Sequence, residues 1–114
     1  MVVERGEVWW ADHDEPIGSV AGFRRPVLVV QADAFNRSRI ETVIVVALTS
    51  NLRLLDAPGN VLVPKKASGL PRDSAANVAQ GLTLDRGLLA DRAGKLPPAI
   101  MTAVGNGLRL VLAL

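Results

Sequence analysis

The 114-residue sequence predicts a mainly β domain with a smaller α component: a small, strongly bent antiparallel sheet or barrel with a C-terminal helix packed on it. Three observations carry that expectation. The apolar runs Pro26-Val27-Leu28-Val29-Val30 and Thr42-Val43-Ile44-Val45-Val46-Ala47-Leu48 read as strands buried on both faces. Turn residues punctuate the first three-quarters of the chain at short intervals. Beyond Asp85 the apolar spacing changes from strand-like to helical. No repeat or linker-like stretch divides the sequence, so residues 1–114 are read as one domain.

The elements follow in order. Glu7-Val8-Trp9-Trp10-Ala11 is a β-prone run that ends in the polar stretch Asp12-His13-Asp14-Glu15-Pro16. A glycine-bounded connection from Gly18 to Gly22 leads to the first apolar strand, which extends to Gln31. A turn or short helix is expected around Asp33 to Asn36 before the second apolar strand, which stops at Thr49-Ser50-Asn51. After a loop closed by Pro58-Gly59 comes a short strand, Asn60 to Val63, and then a turn-rich stretch through Gly69-Leu70-Pro71. Ala75–Gln80 and Leu82–Leu84 read as two further strands bent at Gly81. Asp85 is placed to cap a short helix through Leu89. Pro97-Pro98 suits the start of a longer helix whose apolar positions are Ile100, Met101, Val104, Leu108, Val111 and Leu112. Gly105 and Gly107 weaken that helix by roughly 1 kcal/mol each relative to Ala, which implies tertiary or dimer packing that uses the space they leave.

Composition narrows the chemistry. The chain has no Cys and one His, which excludes thiolate nucleophiles, disulfides, zinc clusters and paired-histidine acid–base catalysis. No metal or other cofactor is expected, and any reaction must be carried by Arg, Lys, Thr, Ser or carboxylates. The start, Val2-Val3-Glu4-Arg5, lacks the features of a signal peptide, and the apolar runs fall well short of the roughly 18 residues of a membrane span. A cytoplasmic protein with no membrane association is therefore expected. The net charge of +2 conceals an uneven distribution. Residues 1–15 are acidic, whereas residues 24–72 hold eight basic against three acidic side chains, a net of +5. Converging on one face, those residues would form a footprint for a polyanion; scattered, they are a solvated surface.

Five blocks taken together give the sequence a family resemblance. They are Arg5-Gly6-Glu7-Val8-Trp9, Arg24-Arg25-Pro26-Val27-Leu28-Val29-Val30-Gln31, Leu48-Thr49-Ser50, Arg72-Asp73-Ser74 and Val78-Ala79-Gln80. In this order and approximate spacing they resemble the MazF/PemK family of toxin endoribonucleases, from about residue 3 to the C-terminus. The resemblance implies an SH3-like barrel of the CcdB/PemK type that acts as a homodimer. It also implies metal-independent, sequence-specific cleavage of single-stranded RNA and inhibition by a cognate MazE-like antitoxin with an acidic tail. Arg25 and Thr49 match the family's catalytic arginine and threonine, and Asn36, Ser74 and Gln80 match positions lining its RNA groove. Ser19, Arg24 and Ser50 join these as candidate RNA contacts. After Gly18-Ser19 this chain has Val20-Ala21, where many relatives carry a polar pair such as Glu-Gln, a departure that bears on the RNA sequence recognised.

Each candidate also has a plainer reading. The Arg25 guanidinium offers a planar fork to phosphate oxygens and keeps its charge at neutral pH, which suits electrostatic stabilisation, and acid catalysis as a second role, rather than base catalysis. The plainer alternative is a strand-end arginine reaching into solvent. Thr49 is either a phosphate donor or a turn hydroxyl, with Ser50 competing for the role. His13, among Asp12, Asp14 and Glu15, reads as a solvated loop residue. Trp9 and Trp10 face opposite sides of their strand, one into the core and the other free to stack on an unpaired base or to pack in an interface. The loop from Pro16 to Gly22 is expected to act as a lid. Two other functions fit a small barrel: a non-enzymatic CcdB-like toxin that binds DNA gyrase, and a housekeeping RNA-binding module.

Overall fold

The computed structural model describes residues 2–12 and 24–114. It contains six strands, β1 (Glu7–Asp12), β2 (Arg24–Val29), β3 (Thr42–Thr49), β4 (Val61–Val63), β5 (Ser74–Asp85) and β6 (Leu89–Lys95). The helices are α1 (Asp33–Asn36), α2 (Lys65–Ser68) and α3 (Pro98–Leu112), with 3-10 turns at Leu52–Asp56 and Arg86–Leu88. The strands form one antiparallel sheet in the order β4-β5-β3-β2-β1-β6. Among the described residues no helix is long and apolar enough to cross a membrane.

The sheet buries both faces, which explains the unbroken apolar runs of β2 and β3. Leu28, Val46 and Leu48 belong to a cluster closed by α3 through Val104, Ile100, Met101 and Leu108. Val27, Val29, Val43 and Val45 belong to a second cluster with Val3, Trp9 and Leu89. Trp9 is thus the core tryptophan, while Trp10, on the opposite face of β1, stays half-buried at the margin of the first cluster. Fully burying a Val or Leu side chain is worth about 1.5–3 kcal/mol, so these two clusters supply the main drive for folding the sheet.

Four expectations need revision. The two strands expected at Ala75–Gln80 and Leu82–Leu84 are one 12-residue strand. Its bend lies just before Gly81: Gly81 pairs with Val46 and Asn77 with Ala47, so Val78, Ala79 and Gln80 have no pairing partner on β3. β6 was not foreseen. Its sequence, Leu89-Ala90-Asp91-Arg92-Ala93-Gly94-Lys95, holds one large apolar residue, and two register shifts against β1 break its alternation, so an edge strand leaves no strand pattern to read. The 3-10 turn Leu52–Asp56 and helix α2 occupy segments read as loop and turn. Finally, α3 begins at Pro98 as expected, but its last turn leaves Val111 and Leu112 exposed.

The glycines of α3 differ in their roles. A Cβ at Gly107 would lie 2.1 Å from the backbone oxygen of Gly59, whose φ of +84° itself favours glycine. A Cβ at Gly105 would meet the ends of the Arg5 and Arg109 side chains no closer than 3.7 Å. Gly107→Ala should therefore destabilise the fold by about 1–3 kcal/mol through overpacking, whereas Gly105→Ala should stabilise it by up to about 1 kcal/mol. Denaturant titration of the two variants checks the opposite signs.

At the far end of β2, Asp33 Oδ1 accepts the backbone N–H of Arg5 at 2.7 Å and the side-chain N–H of Asn36 at 3.0 Å. These bonds, the Arg5 bond first, hold its carboxyl below the usual carboxylate range. A depressed folded-state pKa contributes stability that is present above the unfolded value and lost as pH falls through the folded one. Unfolding free energy should accordingly decline as pH falls below about 4, and Asp33→Asn should flatten that decline in denaturant titrations run across the acid range.

Candidate active site

β2 and β3 pair with Val27 opposite Ala47 and Leu28 opposite Val46. That pairing stops at Val27 and Ala47, and beyond it Arg25 of β2 and Thr49 of β3 lie at the same open end of the two strands. Their outer neighbours are Ala11 on β1 and Ala75 on β5. Small flanking side chains leave both uncovered, and a cleft of about 380 Å³ opens there, lined by Trp10, Arg24, Arg25, Thr49, Ser50, Arg72 and Ser74 over Pro26, Leu48, Leu70 and Pro71. A second cavity, of about 450 Å³, shares Arg25, Pro26, Leu48 and Thr49 with the first and continues past Asp12, Leu54, Gln80, Leu82 and Leu84. Arg25 and Thr49 thus border both spaces.

Local chemistry sets the individual groups. Thr49 Oγ1 accepts the backbone N–H of Asn51 at 3.1 Å, and the Asn51 side chain accepts the N–H of Arg53 at 3.2 Å to cap the following 3-10 turn. With its oxygen engaged, the Thr49 hydroxyl keeps its proton for a further acceptor. The turn-hydroxyl reading and the donor reading are therefore compatible in one geometry. Ser74 is buried and its hydroxyl donates to the Arg72 carbonyl at 3.4 Å. Three arginines, 24, 25 and 72, converge on the cleft, so part of the basic middle segment does gather on one face.

Arg24 is held by two carboxylates. It pairs with Asp12, Nε to Oδ1 at 3.1 Å, and with Asp91 of β6. The hydrogen bond to Asp91 is the main reason its guanidinium pKa lies above the ordinary arginine value. Asp12 and Arg24 are also paired positions on β1 and β2. A phosphate approaching Arg24 competes with these carboxylates, and Asp12 also lines the second cavity alongside Arg25 and Thr49.

The structure gathers Arg24, Arg25, Thr49, Ser50 and Ser74 in one cleft and Gln80 in the adjoining cavity. It sets Asn36 apart. α1 follows β2 at the end opposite Arg25, and Asn36 is buried there, donating to the Gln31 carbonyl at 2.9 Å and to Asp33, and accepting from the Gln31 amide at 2.9 Å. Those bonds tie α1 to the end of β2, and Asn36 lines neither cavity. Ser19, His13, the Val20-Ala21 departure and the lid expected over Pro16–Gly22 lie outside the described residues. Arg72 was not singled out from the sequence as a site residue. Its signal in the sequence is its place in the Arg72-Asp73-Ser74 block, just before β5 begins at Ser74.

Comparisons with known proteins bear on this arrangement. The family model described as the PemK-like, MazF-like toxin of type II toxin–antitoxin systems matches residues 4–112. The endoribonuclease MazF2 of Mycobacterium bovis is 48% identical over 114 residues, with both chains covered completely. The endoribonuclease EndoA of Bacillus subtilis is 38% identical over 114 residues, spanning all of this chain and 97% of that protein. A solved mycobacterial endoribonuclease in complex with its cognate antitoxin superposes with a TM-score of 0.78 at 28% identity, covering 98% of this chain and 96% of that one.

Proposed function

The chain belongs to the PemK-like, MazF-like toxins of type II toxin–antitoxin systems and is an endoribonuclease of that family, and we propose that it cuts single-stranded RNA without a metal in the cleft shared by Arg25 and Thr49. The observation that carries this reading is the shared lining: the planar Arg25 guanidinium fork and the Thr49 hydroxyl border one cleft, which is rimmed by two further arginines.

In the proposed reaction the 2′-oxygen attacks the adjacent phosphorus, a P–O2′ bond forms and the P–O5′ bond breaks. One proton leaves the 2′-hydroxyl and one joins the departing 5′-oxygen. The products are a 2′,3′-cyclic phosphate and a 5′-hydroxyl. Charge builds on the non-bridging oxygens in the transition state, and this is where Arg25 acts, by two parallel N–H donors, with the Thr49 hydroxyl as a further donor. Arg72 and Ser50 position the phosphate backbone, and Arg24 does so when released from its carboxylates. Trp10, half-buried on the cleft wall, offers a ring face on which an unpaired base stacks.

The same reading includes a cognate antitoxin whose acidic segment competes for the basic cleft, and action as a homodimer in the cytoplasm. The uncovered apolar end of α3, with Leu110, Leu112 and Leu114 exposed, supports the dimer. In EDTA, the purified chain should cut a long single-stranded RNA into discrete fragments and leave DNA gyrase supercoiling untouched. Intact RNA together with inhibited supercoiling would transfer the fold to the gyrase-binding alternative.

A further inference from the structure

Three side-chain amides form a chain beside the second cavity. The backbone N–H of Val78 donates to Asn60 Oδ1 at 3.0 Å, and Asn60 Nδ2 donates to the Leu54 carbonyl at 2.8 Å and to Asn77 Oδ1 at 3.4 Å. Asn77 Nδ2 in turn donates to Gln80 Oε1 at 3.4 Å. A backbone N–H only donates and a backbone carbonyl only accepts, so Val78 and Leu54 determine which end of the Asn60 amide is oxygen and which is nitrogen. The rest follows in sequence. Asn77 gives its oxygen to Asn60 and so its NH2 to Gln80, and Gln80 turns its oxygen toward Asn77. Both N–H donors of the Gln80 amide are then left for whatever occupies the cavity.

The location gives this orientation a use. Val78, Ala79 and Gln80 are the residues that β5 carries without a partner on β3, and Asn60 holds that segment to the turn before β4. Gln80 shares its cavity with Arg25 and Thr49, and Leu54, Leu82 and Leu84 supply an apolar wall suited to the face of a planar ring. Resting on the endoribonuclease reading above, we propose that Asn60 and Asn77 are positioning residues that orient Gln80 to select a nucleobase edge beside the cleaved phosphate. The edge accepted carries a carbonyl oxygen or an unprotonated ring nitrogen. An edge presenting an amino group at that point sets donor against donor and is rejected.

The test is a site profile. The purified chain digests a pooled RNA containing all short sequence combinations, the 5′ ends of the fragments are mapped, and relative rates are assigned to each nucleotide position around the cut. Gln80→Glu keeps the shape but replaces donors with acceptors, and Gln80 is exposed, so this variant retains the fold and carries the test by itself. The preference at one position should fall about tenfold or invert, with the other positions unchanged. Asn77→Asp keeps the acceptor for Asn60 and removes the donor to Gln80, and should relax the same position several-fold. In a Gln80→Leu background it should add nothing. A wild-type profile from Gln80→Glu, or an Asn77→Asp effect that persists in the Gln80→Leu background, would overturn the assignment. RNA left whole by the wild-type chain would instead overturn the endoribonuclease reading, and the inference with it.

Discussion

Arg25→Ala should lower the cleavage rate constant about a thousandfold while leaving the fold intact. Donors aimed at developing phosphoryl charge typically contribute two to three powers of ten, and arginines in phosphoryl transfer reach about 10³–10⁵. The loss should fall on the single-turnover rate more than on RNA affinity, because the guanidinium is best matched to the charge of the transition state. Arg25→Lys is the informative control. It retains the charge and loses the fork, so it should recover only a small part of the rate. Arg25 is exposed near a strand end, so both variants should remain folded. Single-turnover cleavage paired with a denaturant titration separates the outcomes: activity surviving Arg25→Ala would remove this residue from the chemistry.

Thr49→Val should cost about a hundredfold in the same assay. Valine preserves the branched shape at the end of β3 but deletes both the acceptor for the Asn51 N–H and the donor assigned to the phosphate. Thr49→Ser separates these. It keeps the hydroxyl, and should stay within about tenfold of the parent if the donor is what matters. If instead Thr49 serves the turn alone, Thr49→Val should lower stability by about 1 kcal/mol with little change in rate, and Asn51→Ala, which removes the separate cap on the Arg53 N–H, should likewise lower stability without changing the rate.

Much of this was legible in the sequence, and the exceptions have physical causes. β2 and β3 are legible because burial on both faces forces an unbroken apolar run, whereas Arg25 and Thr49, the polar residues at the ends of those runs, stand out only through the family resemblance. That they border one cleft depends on how the strands are brought together, which no single strand carries. β6 was invisible because an edge strand interrupted by two register shifts needs neither alternation nor large apolar residues. Asn36 matches a groove position by resemblance, and its sequence polarity does not reveal that it bonds Gln31 and Asp33 within the fold. The amide chain could not have been foreseen. Asn60 and Asn77 lie 17 positions apart, and the direction of each amide is decided by backbone groups that meet it only in the folded sheet.

The chemistry of the RNA ends tests the central claim most directly. Fragments produced by the purified chain in EDTA should carry 2′,3′-cyclic phosphates and 5′-hydroxyls, since a P–O2′ bond replaces the P–O5′ bond at every cut. Fragments bearing 3′-hydroxyls and 5′-phosphates, or cleavage that appears only when a divalent cation is restored, would contradict it.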